Sequence, residues 1–163
     1  FCGCWRGTGM VANEGGFERS ERILLDSRGM KDLMPLDFDL DGDCDLVAAA
    51  CSEPVVLLLE NRGMDGWHPA TVQRGAVPKA IAVTDLDRDA FPDLVVACAG
   101  GEGAALSGFL NPGLSGSGGW TGDFSIPGSF TAVGVSEDGP GLMAACSMAP
   151  EGSGCLLTIY GGE

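Results

Sequence analysis

The sequence predicts an all-β protein built from short antiparallel strands. Apolar runs of strand length, such as residues 46–51 and 94–98, are bounded by turn-forming residues, which is typical of buried strands. Glycine accounts for 27 of the 163 residues and interrupts the chain throughout. No segment sustains the apolar period of a helix, so we expect strands and turns along the whole chain.

Two acidic clusters of one shape lie between predicted strands, in the sequences DFDLDGDCDLV and DLDRDAFPDLV. Hard oxygen ligands at this spacing can surround a calcium ion, whereas carboxylates this dense would repel each other without a cation. Carboxylates occupy positions 1, 3, 5 and 9 of both clusters: Asp37, Asp39, Asp41 and Asp45, then Asp85, Asp87, Asp89 and Asp93. Position 7, held by Asp43 and Phe91, completes the two candidate ligand sets. The sequence therefore predicts two calcium sites, and the repeated spacing argues against the alternative of a solvated acidic face.

The residues around each cluster show which kind of calcium loop to expect. An EF-hand needs a bidentate Glu at position 12 and a following helix, but position 12 is Ala48 in the first loop and Val96 in the second. Both loops are instead followed by the apolar runs described above. Residues 33–36 and 80–84 are predicted to form the incoming strands. Each loop should therefore join two neighbouring strands.

These features resemble the FG-GAP or VCBS repeat family of calcium-binding β-propellers, which includes the blades of integrin α-subunit heads. The family pattern is an apolar strand, a D-x-D-x-D-G-x-x-D-L-V loop and a second hairpin that ends near N-x-G. Residues 37–47 and 85–95 match the loop, and Asn61-Arg62-Gly63 and Asn111-Pro112-Gly113 match the later signature. The resemblance implies propeller blades, each a four-stranded antiparallel sheet, with calcium in a structural role.

The two loops are 48 residues apart, which marks an internal repeat. The same period leads to a third, degenerate copy at residues 141–146, whose loop at 135–140 keeps only Glu137 and Asp138. We expect no calcium there. The second loop has Ala90 where the first has Gly42, which is costly if that position needs a positive φ, so the first site should be the tighter one.

The repeats divide the chain into about three blades. Residues 1–19 are interpreted as the closing strand of a preceding blade, 20–63 and 64–113 as blades with calcium loops, and 114–163 as a blade with a degenerate loop. Aromatic residues, including Trp67 and either Trp120 or Phe124, recur where an outer strand should begin. A closed propeller usually needs at least about four blades. The chain is therefore expected to be a segment of a longer protein, which its start at Phe1 favours, or to assemble through open blade edges.

Composition narrows the classes of partner. With 9 basic and 23 acidic residues the formal net charge is −14, so a nucleic acid backbone would be repelled. No apolar run approaches the roughly 20 residues of a membrane span. Calcium sites of this type fill where free calcium is millimolar, which predicts an extracellular, secreted or cell-surface ectodomain location.

Seven cysteines favour disulfides, although an odd number cannot pair completely within the chain. Cys146 and Cys155 flank a predicted hairpin and are the best candidates for a bridge. Cys51, Cys98 and Cys146 recur at nearly equivalent strand positions and are equally well explained as small buried apolar residues.

No catalytic constellation is visible in the sequence. The only histidine, His68, is expected at the surface beside a packed Trp67, and the glycine-rich stretches lack a phosphate-binding lysine. The resemblance implies adhesion, or binding of an extracellular protein or carbohydrate ligand, on surfaces that structural calcium stabilises. Two alternatives stay open: a structural subunit of an extracellular fibre or assembly, and part of a polysaccharide lyase-like propeller.

Overall fold

The computed structural model describes residues 29–100, 102–113, 119–136, 142–148 and 155–161. These residues form eleven β-strands and a single 3-10 turn at Gly63–Asp65, with no α-helix in the described ranges. The strands are β1 Met30–Leu36, β2 Asp45–Ala50, β3 Val55–Asn61, β4 Trp67–Arg74, β5 Pro78–Thr84, β6 Asp93–Cys98, β7 Ala105–Leu110, β8 Thr121–Pro127, β9 Phe130–Val135, β10 Leu142–Met148 and β11 Cys155–Gly161. The predicted all-β class is confirmed.

The strands form three antiparallel sheets of consecutive strands. The first sheet has the order β1-β2-β3-β4 and the second has the order β5-β6-β7-β8. The third sheet runs β9-β10-β11 and has three strands within the described residues. The prediction of propeller-type, four-stranded antiparallel sheets is therefore confirmed for the first two.

The sheets are offset by one strand from the blade boundaries drawn on the sequence. The boundary at 63/64 falls between β3 and β4 of the first sheet, and the boundary at 113/114 falls between β7 and β8 of the second. The N-x-G signals end an inner hairpin, after which the chain turns back and adds one more antiparallel strand to the same sheet. The chain passes between sheets after Arg74 and after Pro127. The segment 1–19 lies outside the described residues.

The sheets stack face to face because the central sheet is apolar on both faces. Strand β6 is buried along its whole length, and alternate residues point to opposite sides, as the two-residue period of a strand requires. Leu94, Val96 and Cys98 pack in a core with the first sheet, whereas Val95 and Ala97 pack in a second core with the third sheet. The central sheet is therefore packed between the other two sheets.

Strand β5 is the central contact between the sheets, since it packs against β1 on one side and against β9 on the other. The Ile81 backbone N–H on β5 donates a hydrogen bond of 2.8 Å to Asp32 Oδ2 on β1. The first strands of the three sheets therefore lie side by side, which is a propeller-like arrangement. Among the described residues, no helix has the length and apolar character to cross a membrane.

Cys146 and Cys155 do not form the predicted disulfide. Cys146 lies opposite Leu157 and Cys155 lies opposite Met148, so the two cysteines are diagonal neighbours, and both thiols are free. A hydrogen bond with Cys146 raises the pKa of the Cys155 thiol. Cys98 is a buried apolar residue of the first core, and burial raises its thiol pKa to about 11.

Candidate metal centre

Both aspartate loops occupy the same place in their sheets. The first loop, residues 37–44, joins β1 to β2, and the second loop, residues 85–92, joins β5 to β6. The incoming and outgoing strands pair directly, with Leu36 opposite Asp45 and Thr84 opposite Asp93. Each loop therefore closes the end of a hairpin whose strands are fixed by the cores below it.

The aspartate at position 9 anchors each loop from inside the protein. Asp45 is 1% exposed and accepts hydrogen bonds from the backbone N–H groups of Phe38 and Asn61, both at 2.7 Å. Asp93 is equally buried and accepts bonds from Leu86 at 2.6 Å and from Asn111 at 2.7 Å. In both loops this carboxylate therefore joins the start of the loop to the end of the third strand of the same sheet.

The first loop brings three carboxylates together, and one of their oxygens lacks a hydrogen-bond partner among the described residues. Asp37, Asp39 and Asp45 each place a carboxylate oxygen within 4.8 Å of the others. Asp37 Oδ2 accepts a bond of 3.1 Å from the Gly42 N–H, whereas Asp37 Oδ1 is buried and has no hydrogen-bond partner among the described residues. An uncompensated buried carboxylate oxygen is costly. A divalent cation among these oxygens would remove that cost, so the residues fit a calcium ion.

The second loop is held mainly by its own backbone. Asp85 accepts bonds from the N–H groups of Arg88, Asp89 and Ala90 at 2.7 to 3.1 Å. Asp85, Asp87 and Asp89 again place oxygens within 4.8 Å of one another, but all three are exposed. Since Asp85 is already satisfied by three donors, a cation here would relieve a smaller cost than in the first loop.

Backbone strain also separates the two loops. Position 4 has a positive φ in both loops, 60° at Leu40 and 66° at Arg88. Position 6 has a φ of 91° at Gly42 and of 75° at Ala90. The positive φ expected at Ala90 is therefore present, and for a residue with a Cβ it costs about 1–2 kcal/mol.

The electrostatics of the loops oppose the charged state of their own aspartates. Burial, followed by the nearby Asp41 carboxylate, raises the pKa of Asp39. Burial is also the main cause that raises the pKa of Asp45 and of Asp93, against the lowering effect of their backbone hydrogen bonds. A bound cation would reverse this balance by favouring the ionised carboxylates.

The remaining predicted ligands lie outside the two three-residue clusters. Asp41 accepts the Asp43 N–H at 2.8 Å, and both side chains are exposed at the rim of the first loop. The Phe91 ring lies against Gly113. Because this side chain has no oxygen atom, Phe91 can offer a cation only its backbone carbonyl. Asp93 is not in the second cluster, although its counterpart Asp45 belongs to the first.

Two asparagines contribute to the site in a way that the sequence analysis did not assign. Asn61 and Asn111 each donate a backbone N–H to a position-9 aspartate, and their Oδ1 atoms accept the N–H of Gly63 at 3.1 Å and of Gly113 at 2.9 Å. The N-x-G signature was visible in the sequence. Its contact with the loop was not, because it depends on the pairing of distant strands.

Other predicted features have simple surroundings. His68 is half-buried on β4 opposite Glu60, next to the half-buried Trp67 that begins this strand. Trp120 directly precedes β8 and packs against Phe38, with ring centroids 5.5 Å apart. Glu137 and Asp138 of the degenerate third loop lie outside the described residues.

Comparison with known proteins agrees with this geometry. Residues 37–96, which include both loops and the strands between them, match the FG-GAP-like repeat. No curated protein and no solved structure matches the chain significantly. The matched segment begins at the first aspartate of the first loop and ends in β6, just after the second loop. Residues 37–96 therefore contain an FG-GAP-like repeat.

Proposed function

We propose that the two aspartate loops bind calcium and that the metal stabilises a β-propeller-like segment which acts outside the cell in adhesion or in binding a protein or glycan ligand. The observation that supports calcium most strongly is the buried, partnerless Oδ1 of Asp37 within the cluster of Asp37, Asp39 and Asp45. Calcium prefers hard oxygen ligands, and its large, flexible coordination suits carboxylates on a loop.

The proposed role of calcium is structural. Both clusters sit at hairpin ends, and their aspartates are held by backbone N–H groups of the loop itself. A cation that neutralises the crowded carboxylates would fix these loops and the strands below them. Ligand binding would then take place on the surfaces that the loops support, which assigns no chemical step to the carboxylates.

Thermal unfolding with and without calcium tests this proposal. We expect added calcium chloride to raise the melting temperature and EDTA to reverse the rise, because calcium binds the folded loops and not the unfolded chain. Asp37→Asn should reduce the rise, whereas Asp123→Asn, which removes one exposed charge from β8, should leave it unchanged. A melting temperature that is the same in calcium and in EDTA would contradict the proposal.

A second candidate function is a structural subunit that assembles through strand edges. Strand β11 supports it, because within the described residues no strand pairs with its outer edge. Leu157 and Ile159 on this strand are 64% and 61% exposed. An edge strand with apolar side chains favours addition of a further strand.

A further inference from the structure

We propose that Asn111 couples the two aspartate loops, so that calcium binds them with positive cooperativity; this inference rests on the proposed calcium function. Asn111 is only 5% exposed and directly follows β7 of the second sheet. It is placed between the two loops rather than within either of them. Its backbone N–H and both ends of its side-chain amide have hydrogen-bond partners.

Asn111 contacts both loops directly. Its backbone N–H donates to Asp93 Oδ1 in the second loop at 2.7 Å. Its side-chain Nδ2 donates to the carbonyl of Pro92 in the same loop at 3.1 Å and to the carbonyl of Phe38 in the first loop at 2.8 Å. The same residue therefore holds position 9 of one loop and position 2 of the other.

These bonds complete a chain between the two buried anchors. The Phe38 N–H donates to Asp45 Oδ2 at 2.7 Å, and the Phe38 carbonyl accepts from Asn111. Asp45 and Asp93 are thus connected through one residue of the first loop, Phe38, and through Asn111. The Phe38 ring also packs against Trp120, which lies beside β8 of the second sheet.

The physical basis of the coupling is a shared ordering cost. Phe38 lies between Asp37 and Asp39, so fixing its carbonyl also restricts the two residues that carry oxygens of the first cluster. When calcium orders one loop, Asn111 is held in the position that the other loop requires. The second ion then has less conformational freedom to remove, which makes its binding tighter.

The first repeat supplies a matched control. Asn61 has the same N-x-G context and the same backbone bond to a position-9 aspartate, but within the described parts of the chain its Nδ2 donates only to the Cys44 carbonyl of its own loop, at 3.5 Å. Replacing either asparagine by alanine keeps the backbone N–H. Of the two changes, only Asn111→Ala removes a bond between the loops.

The test is a calcium titration by calorimetry on the full 163-residue chain. The first loop is disabled with the paired changes Asp37→Asn and Asp39→Asn, which leave the buried anchor Asp45 in place. Because the first loop is expected to fill first, its loss in the otherwise unchanged chain should weaken calcium binding at the second loop about fivefold or more, the usual lower range of coupling between sites. In an Asn111→Ala background the affinity of the second loop should not depend on the first.

The Asn61→Ala background should retain the fivefold dependence, since any change in the intrinsic affinity of the second loop cancels in the ratio. Second-loop affinity that is unaffected by disabling the first loop would overturn the coupling, and this comparison does not require that Asn111→Ala folds. Equal dependence in the Asn111→Ala and unchanged chains would overturn the role of Asn111. Absence of calcium binding at both loops would instead refute the proposed function itself.

Discussion

At the scale of single residues, the aspartates of each loop divide into two roles. Asp45 and Asp93 are buried and bind backbone N–H groups, so they hold the loop to its sheet even without a metal. Asp37 and Asp39 are less buried, and Asp37 Oδ1 has no hydrogen-bond partner among the described residues. Anchoring residues and metal-binding residues therefore should respond differently to substitution.

Asp45→Asn should lower the free energy of unfolding by about 2–4 kcal/mol in EDTA, because it replaces a buried charged acceptor of two N–H groups. Asp39→Asn should change that free energy by less than about 1 kcal/mol under the same conditions, since Asp39 is less buried than Asp45 and the backbone N–H groups that it accepts belong to the loop itself. Urea denaturation of both variants in EDTA measures the difference. Equal losses would show that Asp45 has no anchoring role apart from the metal.

Gly42 and Ala90 provide a reciprocal pair of substitutions at position 6. Gly42→Ala should destabilise the first loop by about 1 kcal/mol, because a Cβ there meets no neighbouring atom and the cost comes only from the positive φ. Ala90→Gly should stabilise the second loop by a slightly smaller amount, since glycine also gains freedom in the unfolded chain. Urea unfolding in saturating calcium checks both signs, and two changes of the same sign would contradict the strain argument.

At the scale of elements, each loop depends on the hairpin that it closes. The strands 80–84 and 94–98 could be predicted because their apolar residues are contiguous and turn residues bound them, and the structure has them as β5 and β6. The bond from Asn111 to the first loop could not be predicted. It joins residues 73 positions apart, and no local pattern contains that information.

The loops should also respond to pH. Because burial raises the pKa of Asp39, Asp45 and Asp93 in the folded protein, the calcium-free fold takes up protons more readily than the unfolded chain and loses stability as the pH rises through these raised values. Calcium requires the ionised carboxylates, so protons compete with it. The rise in melting temperature caused by calcium should shrink as the pH falls from neutral towards the raised pKa values of these aspartates. A series of melting curves at decreasing pH measures this, and a rise that grows on acidification would contradict the assignment.

At the scale of the whole molecule, the internal repeat predicted the repeated sheets but not the residues at which each sheet begins and ends. The 48-residue period located two equivalent loops, and each lies between the first two strands of a four-stranded sheet. The strand that completes each sheet follows the N-x-G turn, and Asn61 pairs with Trp67 at the beginning of that strand. The fourth strand belongs to its sheet because it pairs with the third strand, β3 in the first sheet and β7 in the second. The sequence alone does not specify this pairing.

The exposed edge at β11 belongs to the same scale. If strand addition at this edge assembles the protein, Leu157→Lys should shift the chain towards the monomer, because a charge on an edge strand opposes pairing. Met64→Lys, on a fully exposed side chain of the 3-10 turn, is the matched control and should have no effect. Sedimentation velocity distinguishes the species, and an unchanged distribution in Leu157→Lys would exclude this edge as the assembly interface.

The most direct test of the central claim is the number of calcium ions bound per chain, measured by equilibrium dialysis. We predict two ions for the unchanged chain and one for Asp37→Asn, because this change disables the first loop. We predict two ions for Asp138→Ala, because the third loop lacks the aspartate spacing. No bound calcium would contradict the account, and three equivalent ions would contradict the assignment of the third loop as degenerate.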